Sequence, residues 1–421
     1  MSDIAAEHLP PMPLLTADLP GTGGHIRAEL DDFRVEELPL YDPSGQGTHT
    51  YLWIEKRGIP TMELVHRLAH ALGRGPRECG VAGLKDARAV TRQWVSIEHV
   101  DPAKAAGLRG DGWQVLRVSQ HTNKLRIGHL KGNRFDLIVR GACAGAADRA
   151  RAVLDRLQRL GMPNHFGPQR FGTRGDTHRL GLAMLQRRWQ AVCDLLLGGP
   201  RDDDSPAARR FRLLYDDGRL QEARRALPRG YREGIAVLDV LIRTGGNAAR
   251  SARAVPKNLR RFYVSALQSA LFNEVLARRI PDLGRLTRGD LAYLHDRGAV
   301  FRVEDAEAEQ PRADRLEISP TGPLFGYRMS APGGEPGRVE ADVLAQGGLT
   351  PDDFRGADAG KVKGGRRPLR VPLAGADVED VAQGIRLSFT LPAGCYATTV
   401  MAEVTKTGRS NGRSASGAEP G

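Results

Sequence analysis

Apolar and polar residues follow two clear periods along this chain. In Asp32-Phe33-Arg34-Val35-Glu36-Glu37-Leu38, Phe33 and Val35 share one side and Arg34 and Glu36 the other, which predicts a half-buried strand. Tyr51 to Ile54, Val90 to Ile97 and Arg134 to Val139 are rich in β-branched and aromatic residues and read as further strands. Ile385, Leu387, Phe389 and Leu391 alternate with Arg386, Ser388 and Thr390, a strand with one core face. A period near four appears elsewhere. Leu64, Val65, Leu68 and Leu72 predict a helix ending at Gly73, and Val153, Leu154, Leu157 and Leu160 predict one over Asp148 to Leu160, closed by Gly161 and Pro163. Leu182 to Leu197 reads as helical, and Leu267, Leu271 and Val275 mark the strongest helix, Phe262 to Ile280.

Between these elements the pattern thins. Residues 1–24 read as a leader or loop, and their glycines follow no strand, which excludes a dinucleotide fingerprint. The run 198–256 has no readable period. Residues 281–380 read as short strands and Gly/Pro turns, the run after Tyr396 as extended, and Thr405 to Gly421 as a disordered Gly/Ser/Arg-rich tail. Strands first, helices and basic loops in the middle, then strands again predict an α+β core interrupted by an insertion.

Composition narrows the classes. The chain has 421 residues, enough for two or three domains, and 40% of them are hydrophobic, enough for a real core. No run approaches a membrane span, and the N-terminus lacks the pattern of a secretory signal. Four scattered cysteines without a CxxC argue against a disulfide scaffold or structural zinc and fit a reducing, cytoplasmic setting. Lys and Arg total 62 against 50 Asp and Glu, a net charge of +12, and only nine of those cations are lysines. Such a balance favours a polyanionic partner, and arginine suits phosphate contacts and stacking on bases.

Several runs could carry chemistry. Gly80 to Gln93 crowds small residues around Lys85-Asp86 just before a strand, so Asp86 could stand in a cleft as an ionised nucleophile, with Lys85, Arg88 or Arg92 as possible charge partners. It could equally be a turn residue paired with a surface arginine. In Asn133-Arg134-Phe135, strand alternation points Asn133 and Phe135 the same way, an amide beside a ring, as a nucleobase pocket needs or as an ordinary core strand provides. Asn164 to Gly172 interleaves aromatics with arginines. His165 has no second ligand at metal spacing, and Cys395 has no partner base.

Together these runs resemble the TruD family of tRNA pseudouridine synthases. The resemblance rests on Asp32-Phe33-x-Val35-x-Glu37, Gly83-Leu84-Lys85-Asp86-x-x-Ala89-Val90-Thr91-Arg92-Gln93, Asn133-x-Phe135 and Asn164-x-Phe166-Gly167-x-Gln169-Arg170-Phe171-Gly172. Ala266-Leu267-Gln268-Ser269-x-Leu271-Phe272-Asn273 and Phe389-x-Leu391-Pro392-x-Gly394-x-Tyr396-Ala397-Thr398 agree, in the same order. It spans about 25 to 404 and thins through 198–256.

The resemblance implies a mixed β-sheet catalytic domain from residues 25–160 and 320–404, interrupted by a family-specific α/β insertion over 161–319. It implies isomerisation of a uridine in tRNA to pseudouridine, at position 13 of the D-arm in bacterial members, with tRNA as partner and no cofactor or metal. Asp86 matches the nucleophile. Phe33, Asn133 and Tyr396 match substrate-binding positions, and Phe135 the ring beside the target base. Met401-Ala402-Glu403 stands where relatives often carry an Arg-Glu pair, so a carboxylate paired with that arginine in relatives should need another cation here, and the leader and tail read as additions. Two rival readings are a non-catalytic RNA-binding protein and a nucleoside glycosidase, for which Glu37 would have to be the second carboxylate. The oligomeric state stays open.

Overall fold

Alternation along the strands becomes one large mixed sheet. The computed structural model describes residues 4–6, 9–228, 230–356 and 360–407. The chain divides into two compact units, one joining Leu14–Asn164 to the stretch from Val371 onward, the other joining the residues up to Pro13 to His165–Arg370.

In the first unit ten strands form the sheet. From one edge the order is Ala374–Val381, Gly384–Pro392, Leu130–Ala142, Phe33–Pro39, Val90–Glu98, His49–Arg57, Trp113–His121 and Arg109–Gly110. Gly23–His25 adds beside Leu130–Ala142, and Cys79–Val81 beside Val90–Glu98. Phe33–Pro39 and Val90–Glu98 run parallel; the other pairs are antiparallel. A parallel pair needs a crossover. Here it carries the strand His49–Arg57 and the helix Thr61–Ala71, and it ends in the loop holding Asp86.

Registers set one row across five strands. Phe389 lies opposite Phe135, Phe135 opposite Val35, Val35 opposite Thr91 and Thr91 opposite Lys56, so all five share a face. Phe33, Val35, Phe135, Leu137, Leu387 and Phe389 bury there against the helices Ala146–Leu160 and Ala397–Thr405. Further along, Leu52, Ile54, Val95 and Ile97 bury in one cluster with Leu64 and Leu68 of Thr61–Ala71. Each such side chain contributes about 1.5–3 kcal/mol.

The segment after Tyr396 is a helix, Ala397–Thr405, where an extended run was expected. Its Thr and Val residues favour strands, but Ala397, Val400, Met401 and Val404 recur at helical spacing and bury on the sheet, so packing overrides propensity. Thr405, the expected start of the tail, is the last residue of that helix, and residues 408–421 lie outside the described residues. The leader is tied down. Glu403 accepts from the backbone N–H of Leu15 (2.8 Å) and Thr16 (3.0 Å) and from the Thr16 hydroxyl (2.5 Å), and Thr22 donates to the Val404 carbonyl (2.9 Å). Lys406 Nζ stands 3.8 Å from the Glu403 carboxylate.

The second unit is helical with a small sheet. Residues 198–256, unreadable as sequence, hold Pro206–Asp216, Leu220–Ala226, Arg232–Arg243 and Ala248–Arg253. Their arginine-dense faces mask a core of Phe211, Tyr215, Val237, Leu238 and Leu241. The helix expected over Leu182 to Leu197 is two, Thr177–Leu185 and Trp189–Leu197, broken where Arg187 takes a φ of 55°. The long helix begins at Lys257 and ends at Arg279. Within the stretch 281–380, Ala306–Asp314 and Gly334–Gln346 are helical. Ile318–Leu324 pairs with Leu291–Leu294 and with Gly365–Pro368, which keeps the stretch from 320 to 370 in this unit. The sequence boundary at 319 therefore falls inside a continuous sheet.

Candidate active site

Asp86 stands on a loop whose backbone is fixed at several points. The Ala82 carbonyl accepts from Gly128 N–H (2.8 Å) and the Gly83 carbonyl from Gln93 Nε2 (3.4 Å). Lys85 N–H donates to the Thr61 hydroxyl (2.8 Å), which donates in turn to Gln93 Oε1 (3.1 Å). Lys56 Nζ donates to the carbonyl of Asp86 (2.7 Å) and to that of Ile59 (2.8 Å). Lys56 is fully buried; burial pushes its pKa down to about 8, the Asp86 charge opposing and the Lys85 charge adding.

Fixing the backbone leaves the Asp86 side chain facing out, 44% exposed, with Arg27 Nη2 at 2.5 Å from Oδ2. The Arg27 guanidinium also lies 4.0 Å over the centre of the Phe33 ring. Arg27 adopts a φ of 64°, a left-handed conformation that costs a non-glycine residue about 1–2 kcal/mol. The ion pair and the aromatic contact offset that cost and hold the guanidinium between carboxylate and ring.

Beneath the loop, Lys85 pairs with Glu37 at 2.6 Å, both side chains buried. Glu37 Oε1 also accepts from Trp94 N–H (3.3 Å). Burial pushes the Glu37 carboxyl above its ordinary range, with the Lys85 charge and hydrogen bond opposing. Glu37 is thus occupied in holding Lys85, not presented as a second carboxylate.

The geometry brings some expected residues together and separates others. Asp86 and Phe33 meet through Arg27, and the Phe33 and Phe135 rings meet edge to face at 6.4 Å. Both rings are buried in the core of the unit. Asn133 lies opposite Glu37 in the register, on the same face, and its Oδ1 is buried with no hydrogen-bond partner among the described residues. Tyr396 is half-buried at the start of Ala397–Thr405. None of the three expected charge partners is bonded to the Asp86 carboxylate. Lys85 is taken by Glu37, and Arg88 is exposed without an ion pair among the described residues. Arg92, one strand position from Thr91, points to the opposite face and pairs with Glu55 at 2.9 Å.

Arg27 and Lys56 were missed by sequence reasoning. Arg27 is 59 positions from Asp86 and carries no local signal beyond the glycines before it. Lys56 had one: a lysine two positions after Ile54 and four after Leu52, in the register that faces inward. Volume and chemistry also part company. A cavity of about 560 Å³ lies on the opposite face, lined by Arg34, Glu36, Arg92, Arg134, Asp136 and Arg386, where carboxylates stand beside the arginines. Among the described residues no group of three or more His, Cys, Asp or Glu is placed to hold a metal ion, and no helix is long and apolar enough to cross a membrane.

Known proteins give the arrangement a context. The family model for tRNA pseudouridine synthase D (TruD) matches residues 11–404, so most of the expected leader lies within the family's span. A "tRNA pseudouridine synthase D" of Geobacter sulfurreducens is 47% identical over 392 residues, covering 93% of this chain and 96% of the relative. One from Thermus thermophilus is 42% identical over 398 residues, covering 94% and 92%. A crystal structure from Methanosarcina mazei, described as a candidate tRNA pseudouridine synthase D (TruD), superimposes with a TM-score of 0.81 at 27% identity, covering 94% of this chain and 96% of that one. With a family model that matches residues 11–404 and relatives 42–47% identical over more than nine-tenths of its length, this chain belongs to the tRNA pseudouridine synthase D (TruD) family.

Proposed function

We propose that this chain converts uridine 13 in the D-arm of tRNA to pseudouridine, with Asp86 as the nucleophile. The observation that carries this reading is the Asp86 carboxylate, held by its own backbone and by Arg27 on the outward side of a pinned loop. A carboxylate presented on the outer side of a fixed loop is a competent nucleophile for such a reaction. The target base leaves its stack to reach Asp86. Asp86 bonds to the nucleotide, the C1′–N1 bond breaks, the freed uracil turns, C1′ bonds to C5, and the bond to Asp86 breaks to return the free carboxylate. The C5 proton leaves and N1 gains one, so uridine and pseudouridine have the same composition and the exchange needs no redox cofactor.

The other residues follow from this. The unpartnered Oδ1 of Asn133 is an acceptor suited to an N–H of uracil. Phe33 supports Arg27, and Phe135 supports Phe33, so the two rings position the ion pair from below. Tyr396, half-buried at the start of its helix, supplies a further contact to the nucleotide. The unit around the ten-stranded sheet is the catalytic domain and the His165–Arg370 unit is the family's insertion, a second surface for tRNA on a chain of net charge +12. A tRNA substrate and cysteines that form no disulfide among the described residues fit the cytoplasm.

The test is Asp86→Asn, assayed on tRNA from cells lacking the protein with pseudouridine mapped across all tRNAs. Loss of the modification at position 13 with tRNA binding retained is expected. Normal turnover by the variant would refute the assignment, and an unmodified map with the wild-type protein would favour a purely RNA-binding role.

A further inference from the structure

Leu84 and Ile127 are the two most exposed large apolar side chains among the described residues, at 66% and 68%. They belong to different loops, and those loops are joined: Gly128, next to Ile127, donates to the carbonyl of Ala82, two residues before Leu84. Leu84 is itself two residues before Asp86. The backbone on either side of it is held, the Gly83 carbonyl accepting from Gln93 and the Lys85 N–H donating to Thr61. Met62, the residue after Thr61, is also exposed. Beside these side chains stand Arg126 and Arg88, both exposed and without an ion pair among the described residues.

Apolar side chains held out beside unpaired arginines suit one kind of occupant. Aliphatic wedges enter base steps and hold them apart, while arginines take the flanking phosphates. We propose that Leu84 and Ile127 form a wedge that enters the base stack beside the target uridine as that nucleotide turns out toward Asp86, with Arg88 and Arg126 on neighbouring phosphates. They are positioning residues. They touch the bases left behind and keep the vacated step from closing. The inference rests on the function proposed above and adds to it the groups that oppose restacking.

The experiment uses the full chain and a tRNA transcript carrying 2-aminopurine next to the modified uridine, whose fluorescence rises when its stacking is lost. Wild type should raise the fluorescence on binding. The double variant Leu84→Ala, Ile127→Ala should give a smaller rise and slow single-turnover pseudouridine formation by roughly tenfold, in the range that stacking contacts carry. Leu84→Met, which keeps an apolar side chain of similar reach, should retain both signals. A double variant with the wild-type rise and rate would overturn the proposal. So would an equal loss in Leu84→Met, which would assign Leu84 a purely structural role. Unchanged RNA kinetics with an altered sedimentation coefficient would overturn it too, by assigning the apolar pair to a protein contact. Failure of the underlying function reads differently: wild type itself would make no pseudouridine.

Discussion

The guanidinium of Arg27 and the carboxylate of Asp86 meet at 2.5 Å, and the same guanidinium rests on Phe33. Both contacts set the direction in which Asp86 points, and neither buries it. Arg27→Met should therefore leave the fold intact and lower single-turnover pseudouridine formation by roughly a hundredfold, the scale of losing one oriented electrostatic partner. Arg27→Lys keeps the charge without the planar fork, and its loss should be smaller. A rate for Arg27→Met within a factor of two of wild type would remove Arg27 from the site.

The Glu37–Lys85 pair lies under the loop with both side chains buried. Removing one partner leaves an uncompensated charge, so Glu37→Gln or Lys85→Met alone should cost about 3–5 kcal/mol in urea unfolding. The double variant should recover most of the loss, because a buried pair replaced as a unit is near neutral. Additive losses would show that the pair does not act as one.

His178 is fully buried, edge-on to the Phe171 ring, and burial pushes its pKa from 6.5 down to about 4. The unfolded chain takes up that proton near pH 6.5 and the folded chain does not, so stability is full above 6.5 and falls as pH drops toward 4. The loss should be on the order of 3 kcal/mol. Thermal melts between pH 7 and pH 4 should show the decline, and His178→Leu should reduce its slope. A slope unchanged in that variant would place the titration elsewhere.

Glu403 holds Leu15 and Thr16 through three hydrogen bonds. Glu403→Gln removes the charge and part of the accepting capacity, which should cost about 1–3 kcal/mol locally. Amide exchange should speed up at Leu15 and Thr16 while the central strands keep their protection. Unchanged exchange at both residues would mean that other contacts hold the segment.

Local periodicity was enough to read the strands around Phe33 and Phe389 and the helices around Leu64 and Val153, since each has one buried face. The same reading missed Ala397–Thr405, because β-branched residues favour strands until a sheet is present to pack against. It missed the helices between 198 and 256 because arginines occupy so many of their positions. At the proposed site, motif resemblance nominated Asp86, and proximity in sequence nominated charge partners none of which is bonded to its carboxylate. Strand alternation turns Arg92 away and Glu37 captures Lys85, leaving the role to Arg27, whose left-handed backbone no pattern announces.

The strand Gly384–Pro392 lies between two others in the sheet, and its Arg386 meets Asp136 from 250 positions earlier. A ribosome therefore delivers all of His165–Arg370 before the sheet can be completed. Until then Leu130–Ala142 carries an uncovered edge, which invites pairing with other chains. A message truncated before Gly384 would yield a product prone to stick to itself, not a weaker enzyme, and the cell's quality control should recognise it as such.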